Sequence, residues 1–456
     1  MNHTNLSISR GYFGTLIKVI SYFHYREYLN SLTDIHEDVM KRLAGQMTDV
    51  NGLGSVPHIF IQKGETNNPP SGHEHIVYAI TAELPFSLEV IFESTSGDPE
   101  RQKSLLGDVF ETEFEAHQNQ FKRLFAANFN LASKWSPEHV SFGEAALSNM
   151  IGGMGYFYGH SRIQRGNEPV TVSWDGPLFT GVPSRSFFPR GFLWDEGFHQ
   201  LLISKFNPTI SIDAICHWLD LLNQDGWIPR EQILDDEARS RVPDEFIIQR
   251  NDRANPPTLL LAIDELIDSG NLKEKELLSI YPRLESWFHW FNSTQYGPQP
   301  STYQWKGRFI NDQNSELNPK TLTSGLDDYP RATHPSPSEY HLDLRCWMML
   351  AAQVLNKISL LLGKSNIHYL ELETQLKDFD LLNKYHWDSN LNLYSDYGLH
   401  STKVKLKKTQ YRDQNNRIHY RMEREVLSKP KEQFVQHRKS CEIYRSKHIF
   451  NRKSSD

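Results

Sequence analysis

Residues 338–363 read SEYHLDLRCWMMLAAQVLNKISLLLG. Leu350, Val354, Ile358 and Leu361 recur at helical spacing and form one apolar stripe. Gly363 stands where a helix would end, and Pro337 precedes it where a missing N–H costs nothing. The same period recurs on either side, over 138–150, 194–206, 210–223, 256–269, 273–292 and 366–384. In 210–223 the stripe is Ile215, Trp218, Leu219 and Leu222. Pro208 and Pro256-Pro257 sit at two further helix starts. Gln102 to Phe129 reads as one or two long helices. Helix after helix without strands between them implies a mainly α array. Two rings of helices, one inside the other, make an (α/α) toroid whose loops at one end converge on a central pocket.

The N-terminal part differs. Residues 1–50 read as amphipathic and helical in part. His75–Thr81 and Phe86–Phe92 alternate or run apolar, and read as two strands of an antiparallel sheet. Two strands do not make an independent domain, so this is the remnant of a larger β domain. At the other end, the pattern breaks from about Thr409. Residues 403–456 carry 16 Lys and Arg against 6 Asp and Glu, a net of +10, while the rest nets −17. No aromatic platform accompanies these charges, so nucleic acid is not expected as a partner.

With 456 residues, 38% hydrophobic and 23% charged, the chain is long enough for two domains and a large core. Cys216, Cys346 and Cys441 have no neighbour at metal-ligand spacing. Cys216 and Cys346 read as buried small residues, and no metal or organic cofactor is expected. Met1-Asn2-His3-Thr4-Asn5 lacks the charged-then-apolar pattern of a leader. Thr15–Ile20 is too short to cross a bilayer. The residues alone therefore carry no address, and the sequons at Asn2, Asn5 and Asn292 matter only in the secretory pathway.

The links at 183–193, 225–256 and 301–337 are long and rich in Trp, Phe and Arg. Loops above about 12–15 residues tend to be functional or disordered. The first link runs into Phe187-Phe188-Pro189-Arg190-Gly191-Phe192-Leu193-Trp194-Asp195-Glu196-Gly197-Phe198-His199. Its aromatic crowding suits a wall of a sugar pocket, although Asp195 read alone suits a helix start. The second contains Trp227-Ile228-Pro229-Arg230-Glu231, where Arg230 can grip hydroxyls and where surface ion pairs are the plain alternative. The third contains Ser324-Gly325-Leu326-Asp327-Asp328. Adjacent carboxylates raise one another's pKa, as a general acid requires, although an Asp-rich turn also explains them.

Together, Phe187–His199, Glu231–Pro243, Asn255–Leu261 and Asn318–Pro335 resemble the processing α-glucosidase I family, glycoside hydrolase family 63. The resemblance runs from about 52 to about 408. It implies an incomplete (α/α)6 toroid behind a partial antiparallel β domain. The boundaries are a β remnant over 1–100, linker helices over 101–133, the partial toroid over 134–408 and a basic divergent tail over 409–456. It implies an inverting hydrolase removing the terminal α-1,2-linked glucose of the triglucosylated N-glycan precursor in the endoplasmic reticulum. Asp327 then matches the general acid. Phe188, Phe192, Trp194, Asp195 and Arg230 match the glucose subsite, with Glu231 and Asp328 as pocket neighbours. The family's membrane anchor and its C-terminal Trp-Glu-Gln-Tyr motif, which holds the general base, have no counterpart in these 456 residues. Low activity is therefore expected, and a non-catalytic carbohydrate-binding protein is the alternative.

Overall fold

A computed structural model describes residues 4–8, 18–25, 47–49, 60–62, 75–81, 89–94, 105–234, 238–308, 319–412 and 416–435. Asn2, Phe86, Gln102, Asn318 and Cys441, named above, lie outside the described residues, as do 235–237 within the second link. The chain divides into two compact units, Met1–Trp135 and Ser136–Asp456.

In the first unit, β1 (Thr4–Ile8) pairs antiparallel with β6 (Val90–Ser94). β2 (Lys18–Tyr25) pairs with β5 (His75–Thr81), and β3 (Met47–Asp49) with β4 (Phe60–Gln62). The first expected strand exists as β5, and the second appears as Val90–Ser94, its expected start at 86–88 lying outside the described residues; each joins a partner from the first 25 residues rather than the other. The described residues of 1–50 are strand, not helix. Val19, Ile20, Tyr22 and Phe23 are β-branched and aromatic, which suits a pleated surface. Helix α1 (Asp108–Phe129) follows, with Asp108 and Glu111 in its first turn, where the helix dipole favours negative charge.

The second unit is mainly helical among its described residues. Its helices of eight residues or more are α2 (Pro137–Ile151), α3 (Leu193–Phe206), α4 (Pro208–Asp220), α5 (Leu259–Asp268), α6 (Glu274–Thr294), α7 (Leu342–Leu361), α8 (Ile367–Lys377) and α9 (Phe379–His386). α3 packs on α4 and α5, and α7 packs on α6 and α8. Pro208 opens α4 as expected, and the Asn207 side chain accepts the Thr209 N–H at 3.1 Å. The stripe on α4 is buried at Ile215, Trp218 and Leu219, while Leu222 falls beyond the helix and is only partly buried. On α7 the buried stripe is Leu344, Met348, Ala351, Leu355 and Ile358, while Leu361 is exposed. The core ends one turn before the apolar residues do. Gly363 then closes the helix in the left-handed region at φ 61°.

Short strands edge these helices. β7 (Met154–Gly159) pairs with β10 (Gly176–Gly181), while β8 (Arg162–Gln164) lies between β9 (Thr171–Val172) and β11 (Ile248–Arg250). β12 (Trp387–Asp388) pairs with β13 (Leu393–Tyr394). β14 (Tyr397–His400) pairs with β17 (Lys431–Phe434), enclosing a hairpin of β15 (Val404–Arg412) and β16 (Ile418–Val426). The stretch after Thr409 thus continues into strands. Its Arg424 donates to the Thr333 carbonyl, tying the hairpin to the third link. Of the cysteines, Cys216 is half-buried against the core and Cys346 is exposed.

Candidate functional site

The first two links meet as a short ladder. Leu193 N–H donates to the Arg230 carbonyl at 2.9 Å, Gln232 N–H donates to the Gly191 carbonyl at 2.9 Å, and Phe192 bridges Glu231. Beneath the ladder, the Arg190 guanidinium grips Glu231, with Nε 2.7 Å from Oε1 and Nη2 on the same oxygen. Both residues are buried, so neither charge would be tolerated without the other. The guanidinium also lies 5.0 Å from the Phe192 ring centre and 5.7 Å from that of Phe188. Phe188 meets Phe192 edge-on at 5.9 Å and keeps 49% of its surface exposed.

The third link is clamped onto α3. Asn255 accepts the Trp194 N–H at 3.1 Å and donates to the Thr323 carbonyl at 3.0 Å. One side chain thus fixes the first turn of α3 against the turn that carries Asp327. Gly325 sits at φ +72°, and a Cβ there would lie 2.5 Å from the Trp194 ring, so only glycine lets the ring seat on this turn. Ser324 Oγ donates to the Thr321 carbonyl at 2.8 Å and accepts from Leu326 N–H at 3.2 Å. At the back of α3, Gly197 approaches Thr258, whose hydroxyl donates to the Trp194 carbonyl at 2.5 Å.

Asp327 is exposed as a residue, yet its carboxyl lies against enough protein for loss of hydration to push its pKa up. Arg230 pulls it down, whereas Asp328 and Glu231 raise it. Among the described residues, none donates a hydrogen bond to the Asp327 carboxylate. Asp195, half-buried on the first turn of α3, is also raised by burial, lowered by His199 and raised by Asp327. Phe192, Trp194, Asp195, Arg230, Glu231 and Asp327 are therefore brought into one neighbourhood. Phe188 is attached to it through Phe192 and Arg190, and Asp328 lies exposed on the Asp327 turn.

Chemically, this is an aromatic wall beside an exposed carboxyl with raised pKa and a partly exposed guanidinium, Arg230, which lies 3.8 Å from Glu231. Glu231 itself is held by Arg190 and faces inward. Three residues that hold this neighbourhood together were not singled out from sequence: Arg190 as the clasp, Asn255 as the bridge and Glu196 as a wholly buried carboxylate. A second buried network supports the turn from below. Arg331 donates to Asp343 at 2.6 Å and to Asp396 at 2.7 Å, and Arg308 donates to Glu339 at 2.5 Å. An open cavity of about 370 Å³, lined by Asp225, His289, Trp290 and His368, shares no residue with this site. Among the described residues, no cluster of three His, Cys, Asp or Glu is arranged to hold a metal ion, and no helix is long and apolar enough to cross a membrane.

Comparison with known proteins bears on this arrangement. The chain is 44% identical over 387 residues to "Mannosyl-oligosaccharide glucosidase GCS1" of Arabidopsis thaliana, covering 79% of this chain and 45% of that protein. It is 42% identical to "Alpha-glucosidase 2" of the same plant, covering 79% and 49%. It is 33% identical to "Mannosyl-oligosaccharide glucosidase" of Saccharomyces cerevisiae, covering 57% and 38%. The chain thus spans about half or less of the length of these relatives. A mannosylglycerate hydrolase from Thermus thermophilus, solved with Tris and D-glycerate, shares 12% identity at a TM-score of 0.38 over 49% of this chain and 66% of its own. That likeness is too weak to carry an argument. Residues 105–444 match the glycosyl hydrolase family 63 C-terminal domain, running past Lys408, where the resemblance read from sequence ended. The match takes in all three site-forming links and the strands that follow them, and on it the chain belongs to glycosyl hydrolase family 63.

Proposed function

We propose that this chain carries the sugar-binding and proton-donating part of a glucosidase that trims the terminal α-1,2-linked glucose from a triglucosylated N-glycan precursor. The observation that supports it most is the seating of the Trp194 ring on Gly325, two residues before Asp327 on the same turn. Aromatic rings stack on pyranose faces, and charged groups at the rim orient hydroxyls. In this reading Asp327 is the general acid, because loss of hydration pushes its pKa upward, the direction a proton donor to the leaving oxygen requires. Phe188, Phe192 and Trp194 orient the ring. Arg230 and Asp195 bind hydroxyls, Glu231 keeps the first two links joined, and Asp328 raises the charge density around Asp327.

The helices belong, in this reading, to an (α/α)6 toroid, and the compartment is the endoplasmic reticulum, where the precursor is made. The mechanism is inverting, which places a water and a second carboxylate about 6.5–9.5 Å from the acid. The family resemblance puts that second carboxylate in a Trp-Glu-Gln-Tyr motif, which is not among these 456 residues. The test measures glucose released from a triglucosylated oligosaccharide, and from trehalose as the contrast. It compares this chain with a version extended by a family C-terminus bearing the motif. The extended chain should act on the oligosaccharide and not on trehalose, and Asp327→Asn should slow it by roughly 10²-fold or more. Equal turnover with and without the extension, or an active Asp327→Asn, contradicts the assignment.

A further inference from the structure

The most completely satisfied carboxylate among the described residues near the site is not one of those facing it. Glu196 is 0% exposed. Its Oε2 accepts from Thr180 Oγ1 at 2.8 Å and from Gly181 N–H at 2.9 Å, while Oε1 accepts from Gln200 Nε2 at 2.5 Å. Gln200 is itself fixed, accepting from Ser211 Oγ at 2.7 Å, and Thr180 Oγ1 accepts from Trp218 Nε1 at 3.0 Å. A carboxylate withdrawn from water survives only when its oxygens are filled in this way. Its remaining neighbour is His199, with Nδ1 3.4 Å from Oε2.

Helix geometry decides what His199 does next. On α3 it lies three residues after Glu196 and four after Asp195, so both carboxylates share its face. The backbone of β10 pins the ring, because a Cβ on Gly181 would come within 2.6 Å of Nδ1. We propose that Glu196 and His199 are positioning residues for Asp195: the core-fixed carboxylate orients the imidazole, and the protonated ring keeps Asp195 ionised and aimed at a sugar's hydroxyls. This deepens the sugar-site reading above and rests on it.

The charges around the pair agree. Burial works against a charged His199, and the bond and charge of Glu196, with the charge of Asp195, overcome it and raise the ring's pKa. Burial pushes Asp195 up, and His199 is the strongest influence bringing it down. β10 presents only the uncharged Thr180 and Gly181 to the pair, and Asp327 acts on Asp195 from the third link. Removing His199's charge therefore leaves Asp195 facing Asp327 and Glu196 with no cation on its own helix nearer than Lys205, which lies in the last turn and pairs with Glu265.

Two measurements test this. The first is the NMR titration of the labelled His199 ring in the full chain. It should titrate above an ordinary imidazole, about 6.5, and fall in Glu196→Gln, an isostere that can keep the Thr180 and Gly181 bonds. An unshifted wild-type ring, or one indifferent to Glu196→Gln, overturns the pair. The second is the Kd for D-glucose of the wild type, Asp195→Asn, His199→Gln and the double variant, each checked for native fold. Each single change should weaken glucose about tenfold, the scale of one hydrogen bond to a charged group, and the double should be no weaker than Asp195→Asn alone. Additive losses, or a silent His199→Gln, overturn the proposal. If the wild type binds no glucose, the sugar-site reading falls and the ring titration decides the pair.

Discussion

Two sets of carboxylates in the second unit are treated in opposite ways by their surroundings. Glu231, Glu339, Asp343 and Asp396 each lie against an arginine: Arg190, Arg308 and, for the last two, Arg331. For Glu339, burial alone would raise the pKa, but Arg308 and His341 hold it below the usual carboxylate value. Asp327 and Asp195 have no such clasp among the described residues, and loss of hydration leaves both raised. The clasped set joins links to helices. Of the unclasped set, Asp327 is free to donate a proton and Asp195 to accept hydrogen bonds from something else. A carboxylate committed to an arginine is structural, and one left under strain beside aromatic rings is available for chemistry.

The comparison can be broken from its clasped side first. Arg331→Met leaves Asp343 and Asp396 without their cation, and breaking such a buried pair costs about 3–5 kcal/mol. Urea unfolding should show that loss, and a change under about 1 kcal/mol would mean the network is a surface-like pair of little worth. A smaller effect is expected where the two sets meet. Gly325→Ala demands a left-handed alanine, at about 1–2 kcal/mol, and drives a Cβ into Trp194. Stability should fall and Trp194 emission should change. Unchanged emission would separate the Asp327 turn from the aromatic wall.

The smallest stability effect has the opposite sign. The folded pKa of Asp327 is raised, so its contribution is fully present below the unfolded value and is lost as pH rises through the folded one. Asp327→Asn should therefore be slightly more stable than wild type at neutral pH. The gap should vanish in acid below the ordinary aspartate range. Unfolding at several pH values reads this directly, and a less stable variant at neutrality would place Asp327 with the clasped set.

Much of this was legible in the amino-acid order alone. The period on α7 and the glycine after it are local signals, and helix α7 ends at Leu361 as they imply, but it begins at Leu342 rather than just after Pro337, because Tyr340 is first bridged to Tyr397. Which strand pairs with which is not local. β5 finds β2 and β6 finds β1 across spans whose residues carry no mark of their partner. The site shows the same division. Aromatic crowding at 187–198 and the Asp327–Asp328 pair announce sugar chemistry. Yet Glu231 and Asp327 look alike as letters, and only the clasp of Arg190, 41 residues away in sequence, tells them apart. Leu361 shows the limit even for helices, since its apolar character continues a stripe that the core no longer reaches. The strands beyond Thr409 were missed because charge masked their alternation.

The account depends most on Trp194 and Asp327 facing one sugar. Titrating D-glucose into the labelled chain, while following the Trp194 indole N–H and the Asp327 carboxyl carbon by NMR, tests that directly. Both signals should move along one saturation curve with a single Kd. Movement of one without the other, or of neither while glucose binds elsewhere, would contradict it.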